Sequence, residues 1–298
     1  MSARRTFVDD AGRTLRVGPE PRRLVSLVPS ITEALFDFGC GERVVGRTDY
    51  CVEPAHAVER KPSVGGTKNP DVHAMLALQP DLVLAVAEEN RPGDVQRLER
   101  HGVPVYVFEP TTVRDGIDLL WRLAELLQCT ADVRQLLGEV ESVYEAAVRA
   151  RVAGKGVRVF CPIWKEPYMT VSEGTFVHDV LDVCGGDNVF AQRRRRFPLA
   201  ADLGRAPERT GERDAGRDCR YPRVTLDEMA ALCPEVILLP DEPYPFSAAD
   251  LAELEPYAGL PAVRDGRVHL IDGKLVTWYG VRIARSLPAV RALLSNEG

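Results

Sequence analysis

Apolar residues along this chain fall into short aliphatic runs set between stretches of helical period, and the same run of elements occurs twice. Met75–Leu84, MLALQPDLVL, is echoed by Met229–Leu238, MAALCPEVIL. In each, a helical stretch stops ahead of a proline, an acid follows, and an aliphatic run suited to a buried parallel strand comes next. Phe38–Gly46, FGCGERVVG, is echoed by Val183–Ala191, VCGGDNVFA, where glycine ends a helix and a short turn enters the next strand. Two echoes in the same order predict a duplicated α/β lobe.

The first lobe is predicted as strand Arg23–Val28, helix Ile31–Phe38, strand Val44–Gly46, helix Val72–Leu78, strand Leu82–Ala87, helix Pro92–His101 and strand Val103–Phe108. Ser30 is the expected N-cap of the first helix, with Glu33 three residues on. The second lobe repeats the alternation: strand Val157–Cys161, helices Phe176–Cys184 and Leu226–Leu232, strand Val236–Leu239, helix Ala248–Glu253, strand Val268–Ile271 and a last helix Val281–Leu294. Such alternation predicts two Rossmann-like lobes built on mostly parallel sheets. After Thr130, a candidate N-cap, apolar residues from Val133 to Val148 keep helical spacing over about six turns, so one long rigid backbone helix is expected to join the lobes. The expected division is an N-terminal extension over 1–22, a first lobe over 23–129, the linking helix over 130–152 and a second lobe over 153–298. Within the second lobe, 192–223 has no sustained period and is expected to be a long surface loop. Its Arg193–Arg196 run reads better as a solvated basic face than as a phosphate site, with Glu208, Glu212, Asp214 and Asp218 close behind.

Composition narrows the function classes. A net charge of −6 gives no basic surface for nucleic acid. No apolar run approaches the ~20 residues needed to span a membrane, and the leading MSARRTFVDDAGRTLRVGPEP has no apolar stretch behind its arginines. Seven cysteines without a C-x-x-C pair read as small buried residues and free thiols. These features set a cytoplasmic expectation, and a monomer is expected.

Catalytic signatures are missing: the chain has no P-loop, no G-x-S-x-G elbow and no G-x-G-x-x-G after the first strand. His56, His73, His101, His178 and His269 stand far apart, none in a local ligand pair. Ligands of open α/β sheets sit beyond the carboxyl ends of the strands. That rule selects Pro29 and Ser30, then Asp49 and Tyr50, then Glu88–Arg91 including Asn90; in the second lobe it selects Trp164, Tyr244, Phe246, Trp278, Tyr279 and Arg282. Any one of these aromatics is more readily a packing residue; five at strand ends favour flat apolar walls for a large planar ligand.

Leu24–Gly46, LVSLVPSITEALFDFGCGERVVG, followed by TDYC, VGGTKNP and LQPDLVLA, resembles the periplasmic cobalamin and ferric-siderophore binding protein superfamily, and its cobalamin-binding branch most of all. VLDVCGGDNVF and TWYG carry the likeness into the second lobe, so that it covers nearly the whole chain. The resemblance implies a ligand cleft between two lobes, a corrinoid such as vitamin B12 as ligand rather than catalytic cofactor, no enzymatic activity, and delivery to an ABC-type transporter permease. Relatives are periplasmic or lipid-anchored outside the membrane. It also implies ligand contacts near Pro29, Tyr50, Trp164, Trp278 and Arg282, and one docking acid per lobe. The second-lobe acid falls on Asp227; the first-lobe position falls on His73, with Asp71 the nearest acid, and the family tryptophan expected near Val86 is absent. Alternatives are a ferric-siderophore or haem receptor and, ranked lower, a metal- or cofactor-dependent enzyme on a related scaffold.

Overall fold

The computed structural model describes residues 4–153, 156–209 and 216–295, so Glu212 and Asp214 lie outside the described residues. It divides into two compact units. Unit one takes the described residues up to Pro110, Arg114–Glu141 and Tyr279–Arg282; unit two takes Thr111–Val113, the described residues from Ser142 to Trp278, and those from Ile283 on.

In chain order the elements are β1 (Arg5–Val8), β2 (Thr14–Val17), β3 (Leu24–Ser26), α1 (Pro29–Asp37), β4 (Val44–Arg47), α2 (Ala55–Val58), α3 (Val72–Ala77), β5 (Leu82–Val86), α4 (Pro92–Arg100), β6 (Val105–Phe108), α5 (Val113–Leu127) and α6 (Thr130–Ala153). There follow β7 (Val157–Phe160), β8 (Pro162–Trp164), β9 (Met169–Thr170), α7 (Phe176–Val183), β10 (Gly186–Asn188), α8 (Leu199–Asp202), α9 (Leu226–Ala231) and β11 (Val236–Pro240). A 3-10 helix (Ala248–Tyr257), α10 (Pro261–Arg264), β12 (Val268–Ile271), α11 (Lys274–Thr277) and α12 (Ile283–Leu294) complete the chain.

Each unit holds a four-stranded parallel sheet, ordered β4-β3-β5-β6 in unit one and β10-β7-β11-β12 in unit two. The first, second, third and fourth strands of each unit thus take the same places, which is the duplication the echoes predict. The central strands β5 and β11 are buried at every residue, as expected of strands covered on both faces. Within the decapeptide echo, Gln79 and Cys233 occupy the same left-handed backbone position (φ 48° and 46°) ahead of Pro80 and Pro234. The acid that follows ties its strand to the first strand of the sheet. Asp81 accepts from the amides of Arg22 (2.8 Å) and Arg23 (3.0 Å), and Glu235 accepts from the amide of Arg158 (3.0 Å). Asp81→Ala is therefore expected to cost about 1 kcal/mol in urea unfolding, and Glu235→Ala, with one such bond, less. In the second echo Gly39 (φ 69°) and Gly185 (φ 98°) close α1 and α7 in the left-handed conformation that a side chain resists.

Several elements depart from expectation for identifiable reasons. Ser30 is not the cap of α1: Pro29 takes the first helical position, its fixed φ suiting it to that place, and Val28 becomes the flanking residue. Likewise α6 begins on Thr130 itself, the Cys129 carbonyl accepting from Asp132 (3.0 Å) and Val133 (3.1 Å). The last helix starts at Ile283 rather than Val281, because Tyr279–Arg282 joins unit one. Helix α5 was not expected, and neither was the antiparallel β1–β2 hairpin within the supposed extension. That hairpin docks on β6 through Asp10 N to Val107 O (3.1 Å) and Val107 N to Asp9 Oδ2 (3.2 Å), covering a sheet edge. In the 192–223 stretch Arg193 is not a solvated cation. It pairs with buried Asp202 (2.9 Å) and with Glu228 (2.8 Å), while Asp202 also accepts from the amides of Arg196 (3.0 Å) and Arg223 (2.7 Å). Among the described residues no helix is long and apolar enough to cross a membrane.

Candidate functional site

The carboxyl ends of β3, β4 and β5 form the candidate face of unit one. Under the β3–α1 turn, Thr32 Oγ1 lies 2.8 Å from Ser26 Oγ and 3.0 Å from both the Val28 carbonyl oxygen and Cys51 Sγ. Cys51 in turn sits 3.2 Å from Thr48 Oγ1. This buried polar knot fixes the two turns that present Pro29 and Tyr50. Tyr50 is 63% exposed, as an aromatic contact surface requires. Asn90 is buried, and both ends of its amide are engaged: its Oδ1 accepts from Val86 N (2.8 Å) and its Nδ2 donates to Thr67 O (3.0 Å). These two bonds hold the turn after β5 in shape. Lys68 Nζ donates to the Glu88 carbonyl oxygen, closing the same turn.

The segment Tyr279–Arg282, between α11 and α12, packs against this face. The Tyr279 hydroxyl donates to Glu89 (2.9 Å), and burial, then the nearby Glu89 charge, pushes that hydroxyl well above the usual phenol range. Gly280 adopts φ 118°, and a Cβ there would stand 3.3 Å from the Ser30 carbonyl oxygen, so the close approach needs glycine. Arg282 makes a two-pronged bond to Glu33 (2.9 and 2.5 Å), with both side chains largely buried. Tyr279 and Arg282, expected as ligand contacts, are thus pinned to unit one, and Ser30 lies buried beneath them.

In unit two the candidate face is aromatic. Trp164, at the end of β8 and 43% exposed, meets Tyr244 edge-on at 5.9 Å between ring centroids. Tyr244 packs on Phe246 at 4.7 Å, and Phe246 stacks on Tyr168 at 6.2 Å. Phe246 is itself a core residue, 4% exposed, so the expectation that it lines a ligand wall is corrected. Lys165, next to Trp164, is clamped by Asp250 (2.6 Å) and Glu253, whose carboxylates hold its ammonium well above the usual lysine range. Neither Lys165 nor Tyr168 was picked out by the strand-end rule. Their partners lie in the 3-10 helix, remote in sequence from β8.

The turns after β11 and β12 lock together. Asp241 accepts from Gly273 N (2.7 Å), and Thr277 donates to Glu242 (2.8 Å). Trp278 also bonds Glu242 and lies buried, with Lys274 Nζ 5.8 Å from its ring centroid, so it supports this turn. Burial raises the Glu242 pKa above its ordinary 4.5, against the hydrogen bonds from Thr277 and Trp278. A raised carboxyl pKa makes a contribution that is complete below 4.5 and is lost as pH rises through the folded-state value. Glu242→Gln is accordingly expected to unfold at higher urea than wild type at pH 7, the gap closing as pH falls through the raised folded-state value toward 4.5.

The two positions expected to dock a transporter are equivalent in the two echoes. His73 and Asp227 each stand second in their helices, after the caps Asp71 and Thr225, and both are exposed. Asp71, the nearest acid to His73, is exposed and caps α3 through one carboxylate oxygen. Its carboxylate accepts from His73 N (2.9 Å) and Ala74 N (3.0 Å), facing its own helix. Asp227 keeps an exposed carboxylate, with one oxygen accepting from the Tyr257 hydroxyl (2.7 Å). Among the described residues no group of three or more His, Cys, Asp or Glu side chains is placed to hold a metal ion.

A sequence profile of the family described as Periplasmic binding protein matches residues 24–275. The vitamin B12-binding protein of Pectobacterium atrosepticum is 26% identical over 229 residues, covering 70% of this chain and 81% of that protein. Among solved structures, the periplasmic vitamin B12 binding protein BtuF of Vibrio cholerae is similar with a TM-score of 0.68 at 22% identity, covering 92% of this chain and 96% of its own. The periplasmic heme-binding protein RhuT from Roseiflexus sp. RS-1 gives a TM-score of 0.71 at 21% identity, covering 93% and 98%. At these identities the structural likeness speaks for the fold.

Proposed function

We propose, on the premise that the chain belongs to the periplasmic binding protein family, that its solute is a corrinoid, bound without chemical change and handed to an ABC-type permease. The observation that carries this reading is the Trp164–Tyr244 pair, an exposed aromatic edge held by a buried ladder and placed at strand ends. Such a surface matches the wide, largely apolar face of a corrin ring with polar groups at its rim. The name of the Pectobacterium atrosepticum relative supports the same ligand. Pro29 and Tyr50 would supply the unit-one contacts, and Asp227 the acid that meets a basic pocket on the permease. His73 leaves the first docking position without a negative charge at neutral pH.

Haem is the second reading, favoured by Tyr50 and Tyr244, since a phenolate can ligate ferric haem iron. Titration with cyanocobalamin, haemin and a ferric siderophore, followed by visible spectra and calorimetry, separates the two. Micromolar or tighter cobalamin binding is expected. Tight haemin or siderophore binding with no response to any corrinoid overturns the corrinoid assignment.

A further inference from the structure

The stretch 192–223 carries ten arginines against five acids, a local surplus of positive charge in a chain whose net charge is −6. Arg193 is engaged by Asp202 and Glu228, and backbone bonds draw three further segments of unit two side by side. Ser172 N donates to Arg220 O (2.8 Å), Glu173 N to Ala191 O (2.8 Å) and Arg195 N to Cys219 O (2.8 Å). Between these segments lies a cavity of about 470 Å³, whose lining includes Arg194, Arg217 and Arg220 with Glu173, Asp218 and Cys219. That volume suits a small organic molecule. Asp218 is held by the Arg220 guanidinium through two bonds (3.0 and 2.7 Å) and accepts from the Arg220 amide (2.9 Å). Arg220 also donates to the Gly174 carbonyl oxygen (2.8 Å), so this pair is a fixed piece of wall. Arg194 and Arg217 add two cations, opposed by Glu173, which accepts from the side-chain amide of Gln192 (2.7 Å). Arg217 and Arg195 both lie over the ring of buried Phe197, 4.0 and 4.8 Å from its centroid, so two like charges are held close together. Stacking engages the face of a guanidinium, and its N–H donors project from the edge in the fork that suits a phosphate. Burial, and then the Arg195 charge, hold Arg223 below the usual arginine range, a mark of the same positive field.

We propose that this cavity binds a small phosphate monoester, its phosphate gripped by Arg194 and Arg217 and its organic body resting on the wall that Arg220 and Asp218 form. A phosphate monoester presents three terminal oxygens, enough to meet the forks of two arginines at once, where a carboxylate presents two. A sugar-sized body occupies the remaining volume, which inorganic phosphate alone does not fill. The cavity shares no residue with the Trp164–Tyr244 face, and its ligand is independent of whether the solute is a corrinoid.

The test titrates the full-length chain with glucose 6-phosphate, inorganic phosphate and glucose by calorimetry at constant ionic strength. Glucose 6-phosphate is expected to bind more tightly than inorganic phosphate, and glucose is expected to give no heat. Arg194→Ala and Arg217→Ala are each expected to weaken glucose 6-phosphate binding about tenfold, through the loss of one charge-assisted fork. A footprint on the wild-type chain needs no variant to fold. Cys219 lines the cavity, and the exposed Cys233 lies outside it. Glucose 6-phosphate is therefore expected to slow labelling of Cys219 by iodoacetamide, and to leave Cys233 unchanged, in peptide maps taken over time. Absence of Cys219 protection at roughly 10 mM ester overturns the proposal, whether or not heat is seen. Undiminished binding in both arginine variants overturns it as well, and inorganic phosphate binding as tightly as glucose 6-phosphate overturns the ester as ligand.

Discussion

Arg282→Met is expected to destabilise unit one by about 3–5 kcal/mol, among the largest losses from any single substitution in the chain. The guanidinium is 6% exposed and grips a Glu33 carboxylate that is 13% exposed, through two hydrogen bonds. Removing the cation takes two hydrogen bonds from a largely buried carboxylate on α1, and breaking a buried pair from one side costs more than the pair itself contributes. Replacing both partners is the informative control. Glu33→Leu/Arg282→Met substitutes apolar volume for the whole pair and is expected to recover most of the lost stability in urea unfolding. The double variant also separates two roles for Arg282. If the guanidinium serves only to hold Tyr279–Arg282 on unit one, the double variant binds cobalamin close to wild type. If it touches the ligand, as the resemblance implies, affinity stays low after stability returns.

That pair shows where sequence reading stops. Lobe duplication was legible because it rests on local chemistry: a proline after a left-handed residue, an acid capping the neighbouring strand, a glycine ending a helix. The strand-end rule likewise chose Pro29, which opens α1 after β3, Tyr50 after β4, Trp164 at the end of β8 and Tyr244 after β11. What it could not assign was exposure. Phe246 and Tyr244 are two residues apart in one turn, yet one is core and the other half-buried, because Tyr168 and the 3-10 helix close over only the first. Arg282 and Glu33 are 249 positions apart, and Tyr279 and Glu89 are 190 apart, so no window along the chain joins them. The β1–β2 hairpin has a local signal, alternating RTFV and TLRV around DDAG, but the strand it docks on lies far along the chain, Val107 being 98 positions from Asp9. Helix α5 was eclipsed by its longer neighbour, although Val113, Ile117, Leu120, Ala124 and Leu127 give it a complete buried stripe.

The difference between Phe246 and Trp164 yields the second large effect. Phe246→Ala is expected to lower stability by about 3–5 kcal/mol, since it empties the centre of a packed aromatic cluster. Trp164→Ala removes a ring that is 43% exposed and touches its neighbour only edge-on, so stability is expected to stay within about 0.5 kcal/mol. Its effect falls on binding. An exposed tryptophan backed by a rigid ladder gives large contact area at little entropic cost, and truncating such an anchor typically removes 2 kcal/mol or more, about thirtyfold in Kd. Calorimetric titration with cyanocobalamin is therefore expected to show an approximately thirtyfold weaker Kd for Trp164→Ala, with an unchanged urea midpoint. Trp164→Phe, which keeps a flat ring on the Tyr244 edge, is expected to lose much less. Equal affinities for wild type and Trp164→Ala would remove the aromatic edge from the binding face. The ligand would then have to rest on Pro29, Tyr50 and the turn after β5, a surface with one exposed aromatic ring and too little flat apolar area for a corrin face.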